Sequence, residues 1–232
     1  MADPTDIVLP DTLLPDPRAE AIELALDALA FEAGPLPASP GEGVPDLYLL
    51  LDAAADPEIA TMLDAFDDPA RCLFDGQTLD DLRDVGPWLC QPLRHGAAWD
   101  WFVEEGWGRN WGVLIRSRLP MAKVKTRMKA FLRVTDEAGE AFFFKFFRPR
   151  NLLDYVPGFE DGQRAGFFRG IDAYVAEDPA DPGRAVALSL DGDGRLHRQA
   201  HDLIALGEPR RLRPASPDDA AALLRAAGAD TT

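Results

Sequence analysis

Apolar and polar positions fall into blocks of changing period along this chain. In residues 46–54, DLYLLLDAA, an apolar run bounded by acids reads as a buried strand. Upstream, AEAIELALDALAFEA places Ile22, Ala25, Leu26 and Leu29 at helical spacing with acids opposite, so an amphipathic helix is predicted there. Downstream, Asp56 and Pro57 form a cap and first-turn pair for a helix running through Met62 to Phe66. RCLF (71–74) reads as a short strand and VGPWLCQPL (85–93) as a broken extended segment. AAWDWFVEEGW (97–107) reads as a short helix ended by Gly106, and WGVLIRS (111–117) as a strand. Pro120 opens a helix through about Leu132, and a hairpin follows: FLRVTD, the turn EAGE, then AFFFKFF. RNLLDYVP predicts another short helix. GIDAYVAED and RAVALSLDGDGRLHRQ predict a hairpin turning at 191–194, and ASPDDAAALLRAAG a last helix capped by Ser216 with Pro217 in its first position.

These elements predict an α/β (mixed α+β) fold: a mixed sheet of short strands flanked by helices, with a small C-terminal hairpin-and-helix extension. The expected organisation is an arm, helix and linker over 1–43, an α/β domain over 44–176, and a short C-terminal lobe over 177–232. The four prolines of residues 1–17 predict an extended arm, and GPLPASPGEGVP (34–45) a linker that makes the first helix an appendage docked on the main domain. No internal repeat is visible.

At 232 residues and 47% apolar content the chain is long enough to build a real core. Its longest apolar runs are too short to cross a bilayer, and MADPTDIVLPDTLLPDP lacks the basic flank and apolar stretch of a secretory signal. Cys72 and Cys90 are too few for a disulfide framework. The expected address is the bacterial cytoplasm, with reduced thiols and no membrane partner.

Charge changes the picture. The net charge is −16, yet from Arg116 to Arg150 ten Lys or Arg stand against three acids, so this block carries +7 and the remainder −23. An acidic surface of that size repels phosphate backbones and argues against nucleic acid as a partner. A basic patch within it suits an acidic protein partner, whose approach the charge would speed and orient. In the predicted helix Met121, Val124, Met128, Phe131 and Leu132 share one arc, leaving Lys123, Lys125, Arg127 and Lys129 beside and opposite it. Trp99, Trp101, Trp107 and Trp111 cluster just upstream, and Trp99 and Trp101 cannot both face inward from one helix face. At least one is expected at a boundary or interface.

The sequence shows no catalytic set. None of the four serines lies in G-x-S-x-G, and GWGRNWG (106–112) has neither a Walker lysine nor the G-x-G-x-x-G order. His197 and His201 in HRQAH have the i, i+4 spacing of one helix face, but Arg198 stands where a zinc protease needs glutamate. DGDG (191–194) resembles the start of a calcium loop, but Arg195 stands where a third acidic ligand would be, and a turn is the expected reading. Cys90 and His95 are a formal nucleophile–base pair, although Cys90 after Trp88 and Leu89 reads as a small core residue. No cofactor and no metal are expected.

The order of motifs carries a resemblance. LYLLLDAA, a helix, CLFDG and V-x-PWL are followed by W-x-W-F-x-x-x-GWG-x-x-WG-x-L-x-S. A basic helix ending FLRV, a turn, FFFKFF-x-PR-x-L and GFFRGIDAYV complete the series. Over residues 46–175 this resembles the type VI secretion effector-chaperone, or adaptor, domain (Tap/TEC). The resemblance implies a non-enzymatic bacterial protein that binds a toxin effector and helps load it onto the VgrG spike, in some cases with a PAAR component. Two departures stand out. Where the family carries aromatic–Asp–Pro–Arg, this chain reads Phe147-Arg148-Pro149-Arg150, and where it tends to His–Leu–Arg–Arg, this chain reads Thr126-Arg127-Met128-Lys129.

The candidate partner-binding residues are therefore Lys123, Arg127, Lys129, Arg133, Arg148, Arg150, Trp107 and Trp111. Two other functions are weighed beside the adaptor. Strong acidity and a compact α/β domain suit an immunity protein that neutralises a neighbouring toxin, and Cys90 with His95 would suit a small hydrolase.

Overall fold

The computed structural model describes residues 17–32, 44–135 and 139–207. The expected N-terminal arm, nearly all of the expected linker, part of the EAGE turn and the expected last helix lie outside the described residues.

In chain order the regular elements are α1 Pro17–Phe31, β1 Asp46–Asp52, α2 Ile59–Ala65, β2 Ala70–Cys72, α3 Gln77–Leu82, β3 Pro87–Cys90 and α4 Ala97–Trp101. They continue with β4 Gly112–Ser117, α5 Met121–Ala130, β5 Arg133–Thr135, β6 Ala141–Phe143, α6 Pro149–Tyr155 and α7 Asp161–Phe167. The last are β7 Ala173–Asp178, β8 Asp181–Leu190, β9 Leu196–Asp202 and α8 Leu203–Gly207. Seven strands form one sheet in the order β2-β3-β1-β4-β7-β8-β9, and β5 pairs with β6 in a separate hairpin. The fold is α/β with helices flanking a sheet, and each strand pairing is antiparallel. β7 runs through residue 176, so the strands before and after that point share the sheet.

Both faces of the sheet are covered, which is why its central strands read as apolar runs instead of alternating. Leu47, Leu49 and Leu51 of β1, Leu114 of β4 and Val175 of β7 point into one core beneath α1, α2 and α4. Tyr48, Leu50, Ile115 and Tyr174 point into the other, where α5, α6 and α7 supply Val124, Met128, Leu152 and Phe167. The apolar arc expected on α5 is the docked one: Val124, Met128 and Leu132 are buried, with Met121 and Phe131 packed at the margin.

α1 packs on its own domain. Ala25, Leu26 and Leu29 are buried, and the Arg116 guanidinium of β4 donates from Nη1 to the carbonyls of Leu29 (3.0 Å) and Glu32 (2.7 Å). One buried cation thus satisfies carbonyls that a helix end leaves without partners. Towards its other end α1 meets α8 so closely that a Cβ on Gly207 would overlap the Ala21 carbonyl.

The segment expected as one helix over 97–107 is α4 followed by a π turn, Phe102–Gly106. Gly106 belongs there because a Cβ would collide with the Trp111 ring. HRQAH lies in a strand, β9, and not on a helix: its extended period comes from pairing with β8, Ala185 opposite His201 and Ser189 opposite His197. DGDG is a turn, with Asp191 Oδ1 accepting from the amides of Asp193 and Arg195 at 2.9 Å. Among the described residues no helix is long and apolar enough to cross a membrane.

Candidate functional site

The basic block divides in the folded protein into cations held by its own carboxylates and cations that are not. Arg116 is buried beneath α1, and Arg118 holds Asp172 from Nη1 at 2.8 Å to both carboxylate oxygens. On α5, Lys125 and Lys129 share Asp75, at 2.5 and 2.6 Å. These two ammonium groups hold the Asp75 carboxyl down to about 2, so it is ionised throughout the physiological range. Arg150 stands near Asp154 one turn along α6, at 3.5 Å.

Arg148 is a structural cation. Its Nε donates to Asp52 Oδ2 at 2.6 Å, and Lys145 Nζ lies 3.6 Å from the same oxygen. Asp52 closes β1 and is fully buried, with its Oδ1 accepting from the Ala54 amide at 3.2 Å. The charge reversal noted at 148 therefore neutralises a carboxylate the sheet has removed from water.

Lys123, Arg127 and Arg133 differ from these: among the described residues none has a carboxylate partner within ion-pair distance. Lys123 and Arg133 are exposed and Arg127 half-buried, on α5 and at the start of the β5–β6 hairpin.

Trp107 and Trp111, expected as partner contacts, are core residues with 9% and 3% of their surface exposed. Trp107 Nε1 donates to the Pro182 carbonyl at 2.8 Å, and Trp111 packs against Trp101 with ring centroids 4.7 Å apart. The loop between them is pinned by Glu177, whose carboxylate accepts from the amides of Gly108 (2.5 Å) and Asn110 (2.7 Å). Burial raises the Glu177 pKa, and those two hydrogen bonds oppose the rise. Trp99 is buried, its indole N–H held by Asp27 of α1 at 2.8 Å, while Trp101 is only partly covered, as the pair's opposed directions required.

Residues not singled out as site candidates, most of them aromatic, form the open surface instead. Val134 of β5, Phe142 and Phe143 of β6 and Tyr155 of α6 are 37%, 52%, 45% and 61% exposed. With half-buried Phe144 and Phe159 they border an open cavity of about 670 Å³. A second cavity of about 390 Å³ lies by Asp75, Lys129 and Arg133, and Phe143 borders both. The run AFFFKFF carried this signal: so many aromatics in and after a strand only three residues long exceed what one face can bury.

Cys90 is fully buried in β3 and desolvation pushes its thiol up to about 12, the reverse of an activated nucleophile. The His95 side chain is 68% exposed, with Nε2 3.6 Å from Asp27. His201 is buried with Nε2 unpartnered among the described residues, and burial lowers its pKa; His197 bonds Asp191 at 3.0 Å.

A family model described as "Domain of unknown function (DUF4123)" matches residues 47–166, half of the chain. The chain belongs to this family. The DUF4123 match begins at the second residue of β1, ends within α7, and includes α5, the hairpin and both cavities. No curated protein matches the chain, and neither does any solved structure.

Proposed function

We propose that this protein is a non-enzymatic chaperone, or adaptor, of a type VI secretion system. It binds a toxin effector in the bacterial cytoplasm and helps load it onto a VgrG spike, in some cases with a PAAR component. Membership of the DUF4123 family suggests a role associated with type VI secretion, and the ordered motif series of residues 46–175 points the same way. The observation that carries the reading is the surface of α5 and the β5–β6 hairpin. Cations without a carboxylate partner among the described residues stand there beside exposed aromatics, in a protein of net charge −16. Such a surface recognises a protein: apolar area supplies affinity, and the charge contrast sets orientation and the rate of encounter.

The test is co-expression with the toxin and the spike protein encoded beside this chain. A complex of this chain and the toxin is expected on affinity purification, its formation slowed by added salt. Failure of every neighbouring toxin to bind overturns the reading. Protection of a toxin-expressing cell by this chain alone would replace it with an immunity role.

A further inference from the structure

The β5–β6 hairpin stands apart from the main sheet, and its composition is unusual for an outlying element. Each strand is three residues long and exposed, and a two-stranded hairpin of that size has little stability of its own in water. It nevertheless presents Val134, Phe142 and Phe143 to solvent, opposite Tyr155 of α6. Contiguous exposed apolar surface of this kind marks an interaction site. Register places Arg133 directly across from Phe143 and Val134 across from Phe142, so the cation and the two-residue apolar pair lie on opposite faces of one ribbon. The larger cavity runs along the apolar pair, the smaller one along Arg133, and Phe143 separates them.

We infer that this hairpin is the docking site for a partner protein segment in which apolar side chains alternate with carboxylates. The apolar side chains enter the cavity between Phe142, Phe144 and Tyr155, and a neighbouring carboxylate reaches Arg133. Charge complementarity selects the acidic segment. Arg133 has no carboxylate partner among the described residues, and neither do Lys123 and Arg127 on the helix leading into the hairpin. Lys123, Lys125, Arg127, Lys129 and Arg133 outnumber Asp75, the carboxylate paired to this group among the described residues, in a chain of net charge −16, so an acidic segment is steered to this side of the molecule. A basic segment would be drawn to the acidic surface instead. This inference rests on the adaptor reading for the identity of the partner, the toxin, but not for the chemistry of the site.

The experiment uses the full chain and short labelled synthetic peptides followed by fluorescence anisotropy. In one peptide Leu alternates with Glu, in a second Leu alternates with Lys, and in a third Ser alternates with Glu. The Leu/Glu peptide is expected to bind at least about tenfold more tightly than either of the others, a difference of about 1.4 kcal/mol. Phe142→Ser is expected to weaken it about tenfold, and Arg133→Glu to transfer the preference to the Leu/Lys peptide. Tyr155→Ser reads the same cavity from α6 should the hairpin variant be misfolded by circular dichroism. Equal binding of the three peptides, or unchanged affinity in both Ser variants, overturns the inference. Toxin binding that is the same in wild type and in these variants overturns the hairpin as the toxin's docking site and leaves the adaptor reading standing. Selective peptide binding with no toxin bound leaves the site standing and overturns the adaptor reading.

Discussion

The two faces of the central sheet are both rich in aromatic rings, and they treat them differently. All five tryptophans lie on the face covered by α1, α2 and α4, in or against one core. Three of their indole N–H groups are used internally: Trp88 donates to the Arg83 carbonyl, Trp99 to Asp27 and Trp107 to the Pro182 carbonyl, each at 2.8 Å. The opposite face is built on phenylalanine and tyrosine. Phe146, Phe147, Phe167 and Tyr174 are fully buried, yet the layer runs outward into Phe142, Phe143 and Tyr155, which remain in water. Aromatic density alone is therefore a poor marker of a contact surface. A ring whose polar atom already has a buried partner belongs to the core. A ring left open beside an uncompensated cation is available for binding.

Three variants separate the faces, from the largest effect to the smallest. Trp99→Ala empties the closed core and removes a partner of Asp27, and should cost about 4 kcal/mol in chemical denaturation. A loss below about 1 kcal/mol would mean that this face is not packed as described. Asp52→Ala strikes the junction between the sheet and the open face, where Arg148 and Lys145 lose their carboxylate. Those cations keep 36% and 31% of their side-chain surface in water, so the expected cost is about 2 kcal/mol, less than for a fully buried pair. The double variant Phe142→Ser with Tyr155→Ser touches only the open face, and its unfolding free energy should change by less than about 0.5 kcal/mol. A large loss there would make the hairpin a structural element instead of a docking one.

The same contrast explains what could be read in advance. β1 and β4 were legible because burial on both sides makes a strand uniformly apolar, and α5 because its arc of Val124, Met128 and Leu132 has a helical period. α3 was not legible: QTLDDL buries none of its residues, so no apolar periodicity announces it. α7 carries two glycines and gains its start from a capping box between Glu160 and Gln163, a reciprocal bond that overrides weak propensity. The candidate surface was legible only in part. Composition located the basic block, but which cations were already committed depended on partners far off in the chain, as with Asp52 and Arg148, 96 positions apart. For that reason Arg148 and the two tryptophans, read as contacts, have partners within the fold, whereas among the described residues Lys123, Arg127 and Arg133 have no carboxylate within ion-pair distance.

The fastening of α1 bears on how this fold tolerates a broken chain. The helix is gripped at its C-terminal end by one arginine of the sheet and wedged near its N-terminal end against Gly207, with Leu26 and Leu29 fully covered between the two. Apart from the bond to the Glu32 carbonyl, these restraints lie within α1 itself. A nick in the joint to β1 is therefore expected to leave the two fragments eluting as one particle on size-exclusion chromatography.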